Sequence, residues 1–287
     1  MLDLHSLLAP WYAANARDLP WRRKDFSAWG TLVSEIMLQQ TQASRVALEI
    51  DRWLSLWPHP ADLAAAPTAE VLRMWGSLGY PRRALRLQDA ARRIVEQHDG
   101  LVPDDVSALL ALPGVGDYTA RAVAVFHYGK RAPVVDTNVR RVVARFLHGL
   151  ADQGPAKKSD LVDVERLLPE DPEEAGMVSI ALMELGALTC TSRSPDCDAC
   201  PLLAHCAWVR SGRPANAPAG RAKQAKFEGS DRQARGRVMQ ALRNSDVAIP
   251  RDDLLIEWDP PEQRERAIAS LLADGLAVEA KGGLRLP

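Results

Sequence analysis

The sequence predicts a mainly α-helical chain of two or three compact units, ending in a small tail where helix and strand mix. Three observations carry this prediction. Apolar residues recur at helical spacing through the first two hundred residues, and strand patterns are hard to find before residue 250. All four cysteines fall between Cys190 and Cys206, at the end of the helical part. The length of 287 residues sets the number of units, because single cores stop growing near 250–300 residues.

Composition narrows the function classes. A hydrophobic content of 47% with 25% charged residues is ordinary for a soluble globular protein. No apolar run approaches the roughly 20 residues that span a bilayer. The opening MLDLHSLLAPWYAANARDLPWRR lacks the basic-then-apolar layout of a secretory signal, and Trp11, Asp18 and Trp21 would sit badly in one. These features predict a cytoplasmic protein with no membrane partner. In that reducing compartment, four clustered cysteines point to a metal rather than to disulfides. The net charge of −1 gives no hint of a polyanionic partner.

The elements follow in order. Trp29, Leu32, Val33 and Ile36 form one apolar helical stripe, with Glu35, Gln39 and Gln42 at i, i+4 and i+7 on the opposite side. Breakers such as Trp57-Pro58-His59-Pro60 separate further helices. At 112–122, LPGVGDYTARA reads as a tight hairpin between two helices, in which Gly114 and Gly116 permit the sharp turn and close backbone approach. The amides of Val115 to Tyr118 then open the second helix, an arrangement suited to a phosphate oxygen. Asp136 lies in the mostly apolar VVDTNV, where a carboxylate needs a reason; it precedes NVRRVVARF and suits a helix N-cap. Cys190, Cys197, Cys200 and Cys206 are separated by six, two and five residues. The C-x2-C core puts two thiolates on one turn and the flanking pair completes four ligands, which zinc and a [4Fe–4S] cluster both accept.

Beyond Cys206 the composition changes. Ser211 to Gly220, SGRPANAPAG, looks like a linker, and basic residues dominate from Arg210 to Arg237. In the tail, Arg232 to Arg243 suggests a helix, and Ile249 to Trp258 opens with Pro250 as a first-turn residue. Pro260 to Asp274 carries Ile268, Leu271 and Leu272 on one face. Leu276 to Ala280 and Leu284 to Leu286 flank Lys281-Gly282-Gly283 as a hairpin. Helices followed by a short hairpin resemble a winged-helix domain.

LPWR at 19–22, SEIMLQQTQ at 34–42, LGY at 78–80, LPGVGDYTARA at 112–122, VVDTNVRRV at 134–142, MELGALTC at 183–190 and the four cysteines together resemble the helix–hairpin–helix DNA glycosylases with an iron–sulfur cluster. Within that group the chain is similar to the adenine DNA glycosylase family, MutY. The resemblance spans residues 5 to 208 in order. It implies a two-lobed helix–hairpin–helix glycosylase fold with a [4Fe–4S] cluster on Cys190, Cys197, Cys200 and Cys206. The implied domains are an N-terminal segment, 1–26, packing with the cluster domain; a helical domain with the hairpin, 27–130; the cluster domain, 131–208; a basic linker, 209–227; and the winged-helix-like tail, 228–287.

The resemblance also assigns chemistry. Cleaving the N-glycosidic bond of adenine requires a proton for the departing base and an anion beside an oxocarbenium-like sugar. Glu35 matches the family's acid and Asp136 its anion. Asn138 would orient water or Asp136, and Tyr118 would contact the reacting centre. Related bifunctional enzymes resembling endonuclease III carry a lysine amine at that last position, whereas a phenol cannot form an imine, so a monofunctional glycosylase is implied. Trp21, Arg22 and Glu184 match the adenine pocket, and Gln39 and Gln40 have amides that can pair with base edges. Tyr80 matches, but Pro81 stands where many members have a second tyrosine that inserts beside the opposing lesion; proline also serves as a wedge.

The implied substrate is double-stranded DNA carrying adenine mispaired with 8-oxoguanine or guanine. The implied setting is base excision repair by a monomer associated with the nucleoid. Many members end in a Nudix-like domain that helps recognise 8-oxoguanine, but only 81 residues follow Cys206 here. Two alternatives remain: a related glycosylase for another mispaired base, or a non-catalytic iron–sulfur DNA-binding regulator, which would need neither Glu35 nor Asp136.

Overall fold

The computed structural model describes residues 2–215, 226–254 and 261–287. The chain runs through α1 (Leu4–Asn15), α2 (Ala28–Leu38), α3 (Ala43–Ala47), α4 (Ile50–Leu56), α5 (Pro60–Ala65) and α6 (Thr68–Trp75). It continues through α7 (Arg82–Gln97), α8 (Val106–Leu110), α9 (Asp117–Phe126), α10 (Thr137–His148), α11 (Ser159–Leu167) and α12 (Pro172–Leu188). Short α13 (Ala207–Arg210), then α14 (Asp231–Arg243) and α15 (Pro261–Ala273), precede β1 (Val278–Ala280) and β2 (Gly283–Arg285). The mainly helical reading holds, and among the described residues both strands lie in the tail.

Many helix starts are written locally. Asp3, Asp105, Asp171 and Ser230 each accept a backbone N–H from the first turn of α1, α8, α12 and α14. Such caps satisfy amides that would otherwise lack partners, at about 1 kcal/mol each. Asp136 caps α10, accepting from the Val139 amide at 2.7 Å, so its N-cap reading is met.

The chain divides into two compact units, each discontinuous in sequence. The first takes the described residues of Met1–Glu35, Asp104–Ala111 and Val115–Arg221; the second takes those of Ile36–Pro103, Leu112–Gly114 and Ala222–Pro287. In the first, α1, α10 and α12 pack around Leu8, Val139, Val142, Val178, Leu182 and Leu185, and three cysteines border this core. In the second, α5 packs on α7, and Trp53 makes edge contacts with Trp57 and Trp75 at ring separations of 4.6 and 5.6 Å. The division falls within α2.

Two local expectations are corrected. Residues 29–37 of α2 are buried on every side, so Glu35 lies on no solvated face. The small Gly30, Thr31 and Ser34 let neighbours close over the side that periodicity marks as polar. The helix also stops at Leu38: Gln40 adopts φ 58°, and Gln42 becomes the N-cap of α3 rather than a continuation of Glu35's face.

In the tail, α14 matches the expected helix. Pro250 precedes a 3-10 turn at Arg251–Asp253 instead of opening a longer helix, and residues 255–260 of that expected element lie outside the described residues. Most of the expected linker, 216–225, lies outside them too. β1 and β2 pair antiparallel, with Ala280 opposite Gly283, and Ile249 bridges to Leu284. Among the described residues of the tail, α14 and α15 precede this hairpin.

Candidate active site

Three predicted residues meet in the first unit. Glu35 is only 4% exposed, and its Oε2 has no hydrogen-bond partner. Burial pushes its carboxyl up to about 7; the hydrogen bond from Tyr118 opposes the rise and the nearby charge of Asp136 adds to it. Tyr118, on the first turn of α9, is itself pushed well above the usual phenol range by burial and by the two carboxylates, so it is a hydrogen-bond donor at all working pH values. Asp136 is raised mainly by burial, against the lowering effect of the Val139 amide and Asn138. Thus one carboxyl near neutrality and one held by two donors share a site, as acid and anion require.

The donors around Asp136 are themselves fixed. Asn138 donates from Nδ2 to Asp136 Oδ2 at 2.8 Å and accepts from Arg141 at its Oδ1, also at 2.8 Å. This assigns the Asn138 amide orientation through its partners on both sides. Arg141 donates onward to the carbonyls of Cys190 and Gly186, at 2.7 and 2.6 Å. Gly186 is required here: a Cβ would stand 2.7 Å from Asn138 Cβ and 2.9 Å from its carbonyl oxygen. The glycine of MELGALTC therefore lets α12 approach the start of α10.

The same helix buries Glu184 completely. Its Oε1 accepts from the Arg17 amide and Nε and from Arg22, and its Oε2 accepts from both guanidinium groups at 2.7 Å. Burial alone would raise Glu184, but these donors more than offset it and hold the carboxyl at about 2. Glu184 is saturated, so its part is to aim Arg17 and Arg22. Arg22 also lies over the Tyr12 ring, 5.5 Å from its centroid. Trp21 and Arg22 line a groove of about 760 Å³ together with Tyr12, Phe26, Thr31 and Phe126. Arg17 escaped the sequence reading although it stands two residues before LPWR.

Cys190, Cys197, Cys200 and Cys206 line a single cavity with Arg145 and Trp208. Arg145, 3% exposed, donates to Cys190 Sγ at 3.3 Å and to the Thr191 carbonyl at 2.7 Å, and it stacks 4.8 Å from the Trp208 ring. Among the described residues, no three His, Cys, Asp or Glu side chains converge tightly enough for one metal ion. Four thiolates are the donor set of a four-iron cluster and of zinc alike, so the four cysteines lining this cavity fit such a centre. Burial raises the Cys200 thiol to about 11, so ligation there must displace protons.

Of the remaining predicted residues, Gly116 belongs to the first unit, and Gln39, Gln40, Tyr80, Pro81 and Gly114 to the second. Gly114 turns the hairpin at φ 78°, and a Cβ there would lie 2.9 Å from Arg86 Cβ. Gly116 caps α9 without a side chain. Gln39 donates to the Gly114 carbonyl at 3.1 Å, so its amide is engaged with the hairpin. Gln40 and Tyr80 are both exposed and both left-handed, at φ 58° and 47°; Pro81 follows, partly buried. One buried guanidinium, that of Arg83, serves both places. It donates to the carbonyls of Ile36, Met37 and Gln39 and to those of Leu78 and Gly79.

Against known proteins, residues 33–162 match the family model described as HhH-GPD superfamily base excision DNA repair protein. An adenine DNA glycosylase of Mycolicibacterium smegmatis is 52% identical over 277 residues, covering 96% of this chain and 93% of that protein. Among solved structures, a thermostable thymine-DNA glycosylase aligns with a TM-score of 0.66 at 28% identity, over 72% of this chain and 95% of its own. A trapped endonuclease III–DNA covalent intermediate aligns at 0.60 and 25% identity, over 75% of this chain and all of that one. The two solved structures cover about three quarters of this chain, whereas the mycobacterial relative covers nearly all of it. The chain belongs to the adenine DNA glycosylase family, within the helix–hairpin–helix superfamily of base excision repair proteins.

Proposed function

We propose that this protein is a monofunctional DNA glycosylase that removes adenine mispaired with 8-oxoguanine or guanine from double-stranded DNA, leaving an abasic site. The observation that carries this reading is the buried Glu35, hydrogen-bonded by Tyr118 and placed with Asp136 in one unit. The family supplies the reaction. The groups support it as follows.

The target nucleotide must leave the duplex before a buried carboxyl can reach it. Near pH 7 a large fraction of Glu35 is protonated, so it can give its proton to the adenine ring while the glycosidic bond breaks and the base leaves neutral. Positive charge then develops on the sugar. Asp136 lies ready as the anion, held in place by the Val139 amide and Asn138, without reorganising during the step. Water adds to the sugar, and the Glu35 carboxylate is available to take its proton. Tyr118 steadies Glu35 and has no amine with which to form an imine. Arg17 and Arg22, aimed by Glu184, offer donors to the displaced base.

Cys190, Cys197, Cys200 and Cys206 would hold a [4Fe–4S] cluster. When bound, its iron–sulfur bonds cross-link the loop from 190 to 206. Through the Cys190 carbonyl, that loop also receives Arg141 of the Asp136 network.

The test uses purified protein and duplexes with different central mispairs, followed by alkaline cleavage of abasic sites. Strand breaks are expected only where adenine faces 8-oxoguanine or guanine. Release of another base would favour a thymine-type activity, as in the solved relative's name. No release from any mispair would overturn the enzymatic reading. Efficient borohydride trapping on the substrate strand would overturn the monofunctional one.

A further inference from the structure

The exposed Tyr80 and the partly buried Pro81 sit in a short segment with unusual support. α6 ends at Trp75; Gly76 and Gly79 then take φ 50° and 81°, and Tyr80 takes φ 47° although it has a Cβ. A left-handed tyrosine is held against its own backbone preference and persists only where the surroundings dictate it. Here the surroundings are side chains on carbonyls. Arg243 donates to Gly76, Arg45 to Ser77, Thr41 and Arg83 to Leu78, and Trp75 and Arg83 to Gly79. Every carbonyl from 76 to 79 is engaged.

One of these donors comes from the tail. Arg243 ends α14 and its guanidinium is largely buried, with Nε lacking any partner, so the bond to Gly76 is a costly one to leave unmade. The contact is reciprocal. Arg73, in the last turn of α6, donates to the Arg243 and Ser245 carbonyls at 3.3 and 3.0 Å and pairs with Asp246 at 3.1 Å. Each helix end is thus capped by an arginine of the other. On the far side of Tyr80–Pro81, Arg82 pairs with Asp274 at 3.2 Å, and Asp274 is fixed by Arg235 at 2.7 Å. The tail therefore grips the segment before and after Tyr80 and Pro81.

We infer that the short C-terminal region sets the position of Tyr80 and Pro81, with Arg243 as the positioning residue, and so tunes which base is accepted opposite the excised adenine. It acts on Tyr80 and Pro81 through the backbone and need not touch the opposing base itself. This rests on the glycosylase reading above for its functional part, while the clamp itself is a property of the chain.

The experiment compares full-length, cluster-bearing wild type with Arg243→Ala, Arg243→Lys, Arg73→Ala and, as a control in the same region, Arg251→Ala, whose partners Glu265 and Glu279 lie at the surface. Hydrogen exchange of the peptide covering 76–85 should quicken about fivefold in Arg243→Ala and Arg73→Ala, the worth of one hydrogen bond. It should stay unchanged in Arg251→Ala and be partly restored in Arg243→Lys. Single-turnover adenine release is then measured opposite 8-oxoguanine and opposite guanine. The ratio of the two rates should change about fivefold in the two alanine variants, return toward wild type in Arg243→Lys, and stay constant in Arg251→Ala. A loss of general stability would slow both substrates alike and leave that ratio in place.

Unchanged exchange in both alanine variants overturns the clamp. Quickened exchange with an unchanged ratio overturns its role in reading the opposing base. Wild type that releases no adenine from either duplex overturns the glycosylase reading instead, and the exchange data still decide the clamp.

Discussion

Replacing Glu35 by glutamine should make the protein inactive and, at alkaline pH, more stable. Burial lifts the Glu35 carboxyl from its ordinary 4.5 to about 7 in the folded chain. A raised folded value means the fold prefers the protonated form. The associated stability is fully present below pH 4.5 and lost as pH rises through 7. The difference of 2.5 (7 − 4.5), at about 1.36 kcal/mol for each, is about 3 kcal/mol. Glutamine has nearly the same shape, carries no charge, and removes that slope. Wild type and Glu35→Gln should therefore melt together near pH 4.5, separate as pH rises through 7, and stay apart by a constant margin above about pH 8. By then the variant should melt higher by about 5 °C, given the entropy of unfolding for a chain of this size. Melting both proteins by circular dichroism across this range, cluster intact, reads the effect, since titrating groups away from Glu35 cancel in the difference. Parallel curves would refute the reasoning: Glu35 would then ionise as easily folded as unfolded, and its use as a proton donor near neutrality would lose its physical basis.

Single-turnover base release should fall at least about a hundredfold in Glu35→Gln and in Asp136→Asn while duplex binding by gel shift survives, as for loss of a general acid or an electrostatic stabiliser. In wild type the rate should decline above about pH 7, where Glu35 loses its proton; Tyr118→Phe, which removes a hydrogen bond favouring the carboxylate, should move that decline to higher pH. Glu184→Gln should cost about 3 kcal/mol in denaturant unfolding, because Arg17 and Arg22 lose the anion that pairs them. Cys200→Ser should drop iron from about four atoms per chain, with loss of visible absorbance and of solubility; one zinc per chain in wild type isolated anaerobically would contradict the cluster.

What the residues disclose in advance, and what they hide, follows one physical division. Turns, caps and thiolates write themselves locally: the glycines of LPGVG, Asp136 before NVRRVVARF, the C-x2-C pair and Lys281-Gly282 between β1 and β2 each need only neighbours in sequence. The side chains missed are arginines. Arg17, Arg83, Arg141, Arg145 and Arg243 each reach partners remote in sequence, and all but Arg17 act largely on backbone carbonyls. A carbonyl is present at every residue, so it leaves no mark on the sequence, and a lone arginine reads as a solvated charge. Glu35 was hidden for a related reason. Periodicity shows which side of α2 is apolar but not that Gly30, Thr31 and Ser34 are small enough for the other side to be covered as well. The match of SEIMLQQTQ, not spacing, singles Glu35 out.

The knot of Arg17, Arg22 and Glu184 also constrains how this protein can be made. Its hydrogen bonds join residues up to 167 positions apart, and α1, just before Arg17, packs on α12, which carries Glu184. A ribosome adding roughly 5–20 residues per second releases the N-terminal partner on the order of ten seconds or more before the other exists. Throughout that interval Leu4 and Leu8, both fully enclosed in the finished protein, have no α12 to cover them. The nascent chain thus carries α1 uncovered until α12 has been made. Its apolar face is covered only when residues 172–188 arrive, so the first unit cannot close its core before then.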